Sequence, residues 1–535
     1  MARPSIQDLL LAPQLSPEAV LELLAPYGFV DPHLADATLQ AMAKEPSSRR
    51  LLAEILEPLL AELSRSPDPD QALIYFGRFT ESALSPMTFL SYLKDVPHAI
   101  PLLARVFGAS PFMSQILQRD PYHLYFICDP RVLEKGRSRK DLDQELRQVF
   151  RTIRSSQARM DLLRAFKRKE MLRIGVRDLL RESTVGQTVR DLTVLADLVV
   201  KKTLKICRED LRKKWSPPPG LGSGFVVLAM GKLGGGELNF SSDIDLIYLY
   251  EQKKGGALSA KRSSGARVAA SEYYQYLAQE VTTALSRITQ EGMLFRVDLR
   301  LRPEGSTGTI AGSLSSYLRY YQTRGRNWER LALLKAWPIA GDLRLGRRFL
   351  KRIRPFIFPR SVGEEFFREV WEVKGQIERK LSSKGDRSRN IKLGAGGIRE
   401  IEFLVQTIQV VFGRKNPHIQ DRNTLSGVKK LQEAGLLSDE EGHGLKEAYL
   451  FLRDVEHKLQ MVDETQTHSL PSDTQGLRRC ALRLGYRDQA SARAEVQFQA
   501  DLDRRRAWVR RLFEGLFHSG GSKRFRRRRP LNRRG

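Results

Sequence analysis

Residues 225–251 read FVVLAMGKLGGGELNFSSDIDLIYLYE, and their reading decides the fold. An apolar run, FVVLAM, has the composition of a buried strand, and DIDLIYLY has that of a second. Between them lies a glycine-rich turn and a short polar stretch. Along a strand the side chains alternate faces, so Asp243 and Asp245 point to the same side. Two carboxylates held side by side repel unless a cation lies between them. A hard divalent ion such as Mg²⁺ satisfies both through oxygen ligands. Gly231, Gly234, Gly235 and Gly236 leave the turn free to bring backbone amides against phosphate oxygens. The pattern points to phosphoryl or nucleotidyl transfer, although an aspartate pair alone also occurs in ordinary strand-end turns.

A third strand is expected in MLFRVDLRLRP, residues 293–303. Phe295, Val297, Leu299 and Leu301 alternate with Arg296, Asp298, Arg300 and Arg302, giving one apolar and one charged face. If this strand neighbours the second, Asp298 joins Asp243 and Asp245 in a triad able to hold two divalent ions. Such a pair stabilises the attacking and leaving oxygens of an in-line displacement at phosphorus. Lys232, Arg300 and Arg302 are then the cations nearest the phosphates. Ser241 and Ser242 either donate to a phosphate oxygen or cap the turn. A second glycine cluster, GAGG at 394–397 with Lys392 and Arg399, either faces the nucleotide or forms a small-residue helix start. Glu400 and Glu402 follow it and are open to pairing with basic residues. The eight histidines are scattered and none reads as a general base.

Outside this block the chain reads as helical. Leucine and alanine recur at helical spacing through residues 1–215, with Ser-Pro pairs and prolines marking starts and turns. SPPPGLGSG at 216–224 is expected to be a linker. Helical periodicity returns from about 313. These readings predict a predominantly helical α+β protein: an N-terminal helical region (1–215), a catalytic core with a small mixed sheet (216–345), a C-terminal helical bundle (346–517) and a disordered basic tail (518–535). The net charge is +28, and the tail SKRFRRRRPLNRRG contributes eight basic residues and no acidic ones. This charge alone does not decide between a polynucleotide, a phosphate-bearing ligand and an acidic protein; the lack of interleaved aromatic and basic residues disfavours the polynucleotide alternative. Cys128, Cys207 and Cys480 are isolated, so neither a disulfide framework nor a zinc site is expected, and a cytoplasmic location is. No apolar run reaches membrane-spanning length.

The block AMGKLGGGELNFSSDIDLIYLY resembles the glutamine synthetase adenylyltransferase/adenylyl-removing enzymes, members of the DNA polymerase β-like nucleotidyltransferase superfamily. FRVDLRLRPEGSTG, YYQTRGRNWERLALLKAWPIAGD, NIKLGAGGIREIEFLVQ and AYLFLRDVEHKLQ resemble successive blocks of that family in order, and the likeness covers roughly residues 80–480. The resemblance implies metal binding by Asp243, Asp245 and Asp298, and phosphate or nucleotide contacts from Lys232, Gly234, Gly235 and Ser242. It implies Mg²⁺ as cofactor, ATP or ADP and inorganic phosphate as small ligands, and glutamine synthetase and the PII signal protein as partners. Family members usually carry two catalytic halves, one removing AMP from a tyrosine by phosphorolysis and one adding it from ATP. A single such block is present here, and its wording is similar to the adenylyl-removing half. A truncated, split or frameshifted product is the corresponding expectation.

Overall fold

The computed structural model describes residues 4–83, 85–216, 224–251, 259–262, 267–382, 388–462 and 466–517. The expected tail and most of the 216–224 linker lie outside the described residues. Among those described, helices dominate and the strands are few and short, so the predicted α+β class holds. The chain divides into two units that cut across the linear segments expected from sequence. The first comprises 1–136, 168–188 and 457–500; the second comprises 137–167, 189–456 and 501–535.

In the first unit one local device is repeated. Ser16, Asp31, Asp68, Ser85, Ser110 and Asp129 each precede a proline that opens a helix. Each side chain accepts a backbone N–H two or three residues ahead, while proline removes a donor that would have had no partner. The helices Pro69–Ser82 and Ala99–Ala109 bury Phe76, Phe79 and Phe107, which pack edge-on and tilted with Phe89. Burying rings of this size contributes about 1.5–3 kcal/mol each.

The second unit holds the sheets. Its strands are β1 (Trp215–Ser216), β2 (Phe225–Ala229), β3 (Ile244–Tyr250), β4 (Ser259–Arg262), β5 (Arg267–Ala269), β6 (Val297–Asp298), β7 (Ala311–Ser313) and β8 (Trp337–Gly341). β1, β4 and β5 form a small antiparallel sheet. The larger sheet runs β6-β3-β2-β8, with β7 also on β3. β2 is antiparallel to β3 and β8, whereas β6 and β7 are parallel to β3, so the sheet is mixed. Phe225–Met230 are buried throughout, as are Leu246–Tyr250. That explains why both strands read as apolar runs rather than alternating ones.

The third strand is shorter than its alternation predicts: only Val297 and Asp298 pair. Beyond them Arg302 Nε and Nη2 donate to Gly308 O, Nη1 donates to Leu299 O, and Nη2 also reaches Ser306 O. These bonds fold residues 299–308 into turns that compete with a continuing ladder. The KKGGALSAKRSSG stretch, read as a polar connection, contributes β4, with its remaining residues outside those described.

Candidate active site

The register of β3 against β6 assembles the carboxylates. Ile244 is opposite Val297 and Asp245 is opposite Asp298, in a parallel ladder where strands lie about 4.8 Å apart. Ile244 N donates to Arg296 O, at 2.9 Å. Asp243 sits one residue before β3 and adds to the negative field at Asp245. The three sequence-predicted acids therefore share one end of the sheet. Asp245 is the enclosed one. Burial, with Asp298 beside it, pushes its carboxyl up to about 6 against the pull of Lys392 and Arg399.

The glycine-rich segment expected as a turn follows β2 directly and forms a single helical turn, Gly231–Gly235, closed by left-handed Gly236. Met230 N donates to Asp245 O at 2.8 Å, locking the turn to the strand that carries the acid. Gly231 has φ +52°, and a Cβ there would lie 2.3 Å from Asp245 Oδ2. Glycine is required on both counts, because the backbone is left-handed and the carboxylate fills the side-chain space. Gly234 has a different constraint: a Cβ would meet Lys335 O at 2.1 Å. Gly235 likewise packs against the backbone of Arg422. Both glycines thus permit close chain approach.

No group of three or more histidine, cysteine or carboxylate side chains stands ready-made around one point among the described residues. The cause is local. Asp243 Oδ1 accepts from Arg296 Nε at 2.6 Å, and Asp298 accepts from the Arg300 backbone and guanidinium. Burial raises the Asp298 carboxyl, but the Arg300 bonds outweigh it and hold the group below the usual carboxylate range. The donor set nonetheless suits a hard divalent cation, since the enclosed Asp245 carboxylate lies across a strand pair from Asp298, which disfavours its ionisation.

The other predicted residues fall around this centre in unequal roles. Lys232 Nζ is 2.6 Å from Glu456 Oε1, and burial, opposed by Glu456, draws the ammonium down to about 7. Lys392 faces Asp245, Glu402 and Glu456, with burial lowering its affinity for a proton. Arg300 is exposed and reaches the whole carboxylate group. Arg302 is committed to loop carbonyls, so the expected phosphate contact is replaced by a structural one. Ser242 is half-buried and its hydroxyl bonds to none of the described residues, whereas Ser241 is buried. The GAGG turn packs against helix Ala494–Phe517: a Cβ on Gly396 would lie 2.0 Å from Arg506 O. Glu400 there pairs with Lys374 and Arg510, and Glu402 with Lys335.

Sequence reading missed what holds the turn. Arg422 Nη1 donates to Gly234 O and Arg453 Nη2 to Glu237 O, while Lys335 bridges Glu237 (2.7 Å) and Glu402 (2.8 Å). Glu456 and Arg453 lie on helix Asp439–Gln460, more than two hundred residues beyond the turn they grip. Nothing in the sequence singles them out: RDVEHKLQ, residues 453–460, reads as an ordinary charged helical stretch, although Arg453 and Glu456 are buried.

The mixed sheet thus presents paired carboxylates beside a glycine-rich segment. The chain is similar to the glutamate-ammonia ligase adenylyltransferase family. The family model of that description matches residues 100–352, and one described as GlnD PII-uridylyltransferase matches 366–517. Among curated relatives, the bifunctional glutamine synthetase adenylyltransferase/adenylyl-removing enzyme of Hahella chejuensis is 32% identical over 460 residues, covering 85% of this chain and 45% of the relative. Its counterpart from Nitrosococcus oceani is 36% identical, covering 78% of this chain and 42% of the relative. That from Stenotrophomonas maltophilia is 40% identical over 60% of this chain and 34% of its own. The chain spans less than half the length of these relatives. No helix among the described residues is long and apolar enough to cross a membrane.

Proposed function

We infer that this chain removes AMP from an adenylylated tyrosine of glutamine synthetase by Mg²⁺-dependent phosphorolysis, releasing ADP. The observation that carries the reading is the in-register pairing of Asp245 with Asp298, beside Asp243 and the glycine turn. Asp243, Asp245 and Asp298 would hold the divalent ions, which when bound supply charge stabilisation to the oxygens entering and leaving phosphorus. Arg300, exposed and paired with Asp298 at the edge of the site, would orient inorganic phosphate. A phosphate oxygen attacks the α-phosphorus, the bond to the tyrosine oxygen breaks, and the phenolate takes up a proton. Lys392 and Arg399 compensate charge at Asp245 from the far side. Amides of the 231–235 turn and the Ser242 hydroxyl are the proposed neutral donors to phosphate. The PII signal protein as regulator is supported by the second family match.

The opposite reaction, AMP addition from ATP with pyrophosphate leaving, would use the same three acids. One experiment separates the two. The purified chain is given adenylylated synthetase, Mg²⁺ and phosphate, and ADP is measured; in parallel, unmodified synthetase is given labelled ATP. The expected result is ADP in the first arm, abolished in Asp243→Ala/Asp245→Ala, and no label in the second. ADP no higher than in the double variant refutes phosphorolysis, and label on the synthetase reverses its direction.

A further inference from the structure

The helix Leu343–Ile357, LRLGRRFLKRIRPFI, buries Leu345, Phe349, Ile353 and Ile357 on one face and packs against β2 and β8 of the catalytic sheet. Gly346 allows that approach, since a Cβ there would lie 2.5 Å from Pro338. Its outer face carries Arg344, Arg347, Arg348, Lys351, Arg352 and Arg354, all exposed, and the helix contains no acid. They fall in two ridges at helical spacing, 344-348-352 and 347-351-354, extending about 15 Å along the axis. Arg348 pairs with Glu251; the other five have no ion-pair partner among the described residues. Buried cations elsewhere in this unit, by contrast, are paired, as at Lys335 and Arg453. Six like charges this close repel, so the arrangement costs stability and calls for a counter-charge from outside.

The track also has a direction. β8 pairs Gly341 with Val226 and Trp337 with Ala229, so the helix starts at the far end of the sheet and runs back toward the carboxylate end. There Lys351 and Arg354 line a cavity of about 500 Å³ with Trp337 and Arg422. Trp337 is 41% exposed, and the Arg422 guanidinium lies 4.3 Å over its ring while bonding Gly234 O of the catalytic turn.

Resting on the reading above, we propose that this basic helix face is the docking surface for an acidic face of the protein that carries the modified tyrosine. A small phosphate site cannot by itself select one tyrosine on a large folded partner. A charged track that ends beside the catalytic turn supplies long-range steering and a register for the incoming chain. The alternative polyanion, a nucleic acid, has no use in a tyrosine-directed reaction and becomes an outcome of the test.

The test compares the full chain with its Arg347→Glu/Lys351→Glu/Arg352→Glu variant on two substrates, adenylylated glutamine synthetase and a short adenylyl-tyrosine peptide. The expected result is a KM for the protein raised on the order of tenfold or more, with peptide turnover unchanged and the melting temperature not lowered. The wild-type rate on the protein should fall with salt and the variant's should not. Arg347→Lys/Arg352→Lys should restore the wild-type KM. A variant with wild-type KM and salt response overturns the proposal. So does a wild-type chain that binds duplex DNA or RNA at about 150 mM salt through these residues while binding synthetase without them. If neither substrate turns over, phosphorolysis itself has failed. Binding to immobilised synthetase still decides the docking face: loss in the variant supports it and equal binding refutes it.

Discussion

At the scale of single residues, Gly231 makes the sharpest prediction. Its positive φ and the 2.3 Å gap to Asp245 Oδ2 leave no room for a methyl group. Gly231→Ala should lose about 1 kcal/mol or somewhat more of stability from backbone strain. It should lose roughly 100-fold in activity by displacing the carboxylate. Melting curves and ADP release measure the two separately, and a variant with full activity would remove Asp245 from the centre. Asp243, Asp245 and Asp298 were legible because strand periodicity and charge alternation are local properties. Lys232 and Arg302 were legible only as charges. Which group captures a cation depends on partners distant in the chain, here Glu456, or on loop carbonyls that no pattern announces.

At the scale of elements, the buried cations that fasten the turn are the points of failure. Lys335 is enclosed between Glu237 and Glu402. Lys335→Met should cost about 3–5 kcal/mol, because two buried carboxylates lose their counter-charge. Denaturant unfolding tests this, and a loss below 1 kcal/mol would mean the acids find other partners. Helix Val185–Lys214 offers a pH test. Asp197 Oδ1 is buried without a hydrogen-bond partner among the described residues, and burial pushes the carboxyl up to about 6 despite Arg139 and Arg422. The folded state therefore holds a proton that the unfolded chain releases near pH 4. The stability that this one carboxyl contributes should be greatest below that point and decline as pH rises to 6, by up to about 3 kcal/mol. Asp197→Asn should flatten this decline in melting temperatures taken from pH 4 to 7. The helices themselves were readable from Ser-Pro and Asp-Pro starts, whereas the truncation of the third strand was not. Its alternation fits a ladder, but Arg302 closes the chain into turns first.

At the scale of the whole molecule, the linear order of helical region, sheet and bundle was readable from composition. The two structural units were not, because each gathers segments far apart in sequence. Charge and thiol content also act at this scale. Cys128, Cys207 and Cys480 are all buried. Burial pushes the first two thiols up to about 11 and about 12. Iodoacetamide should therefore modify none of the three in the native protein at neutral pH and all three after denaturation. Rapid native labelling, read by mass spectrometry, would contradict the packing around them.

The ladder between β3 and β6 joins acids that lie on opposite sides of the exposed turn at Ile288–Gly292. Cutting the gene there would give two polypeptides, one bearing Asp243 and Asp245 and the other Asp298. Neither piece could act by itself, yet their co-expression should rebuild the ladder from both halves. The protein thus contains a natural break point for a split reporter whose signal depends on reunion of its carboxylates.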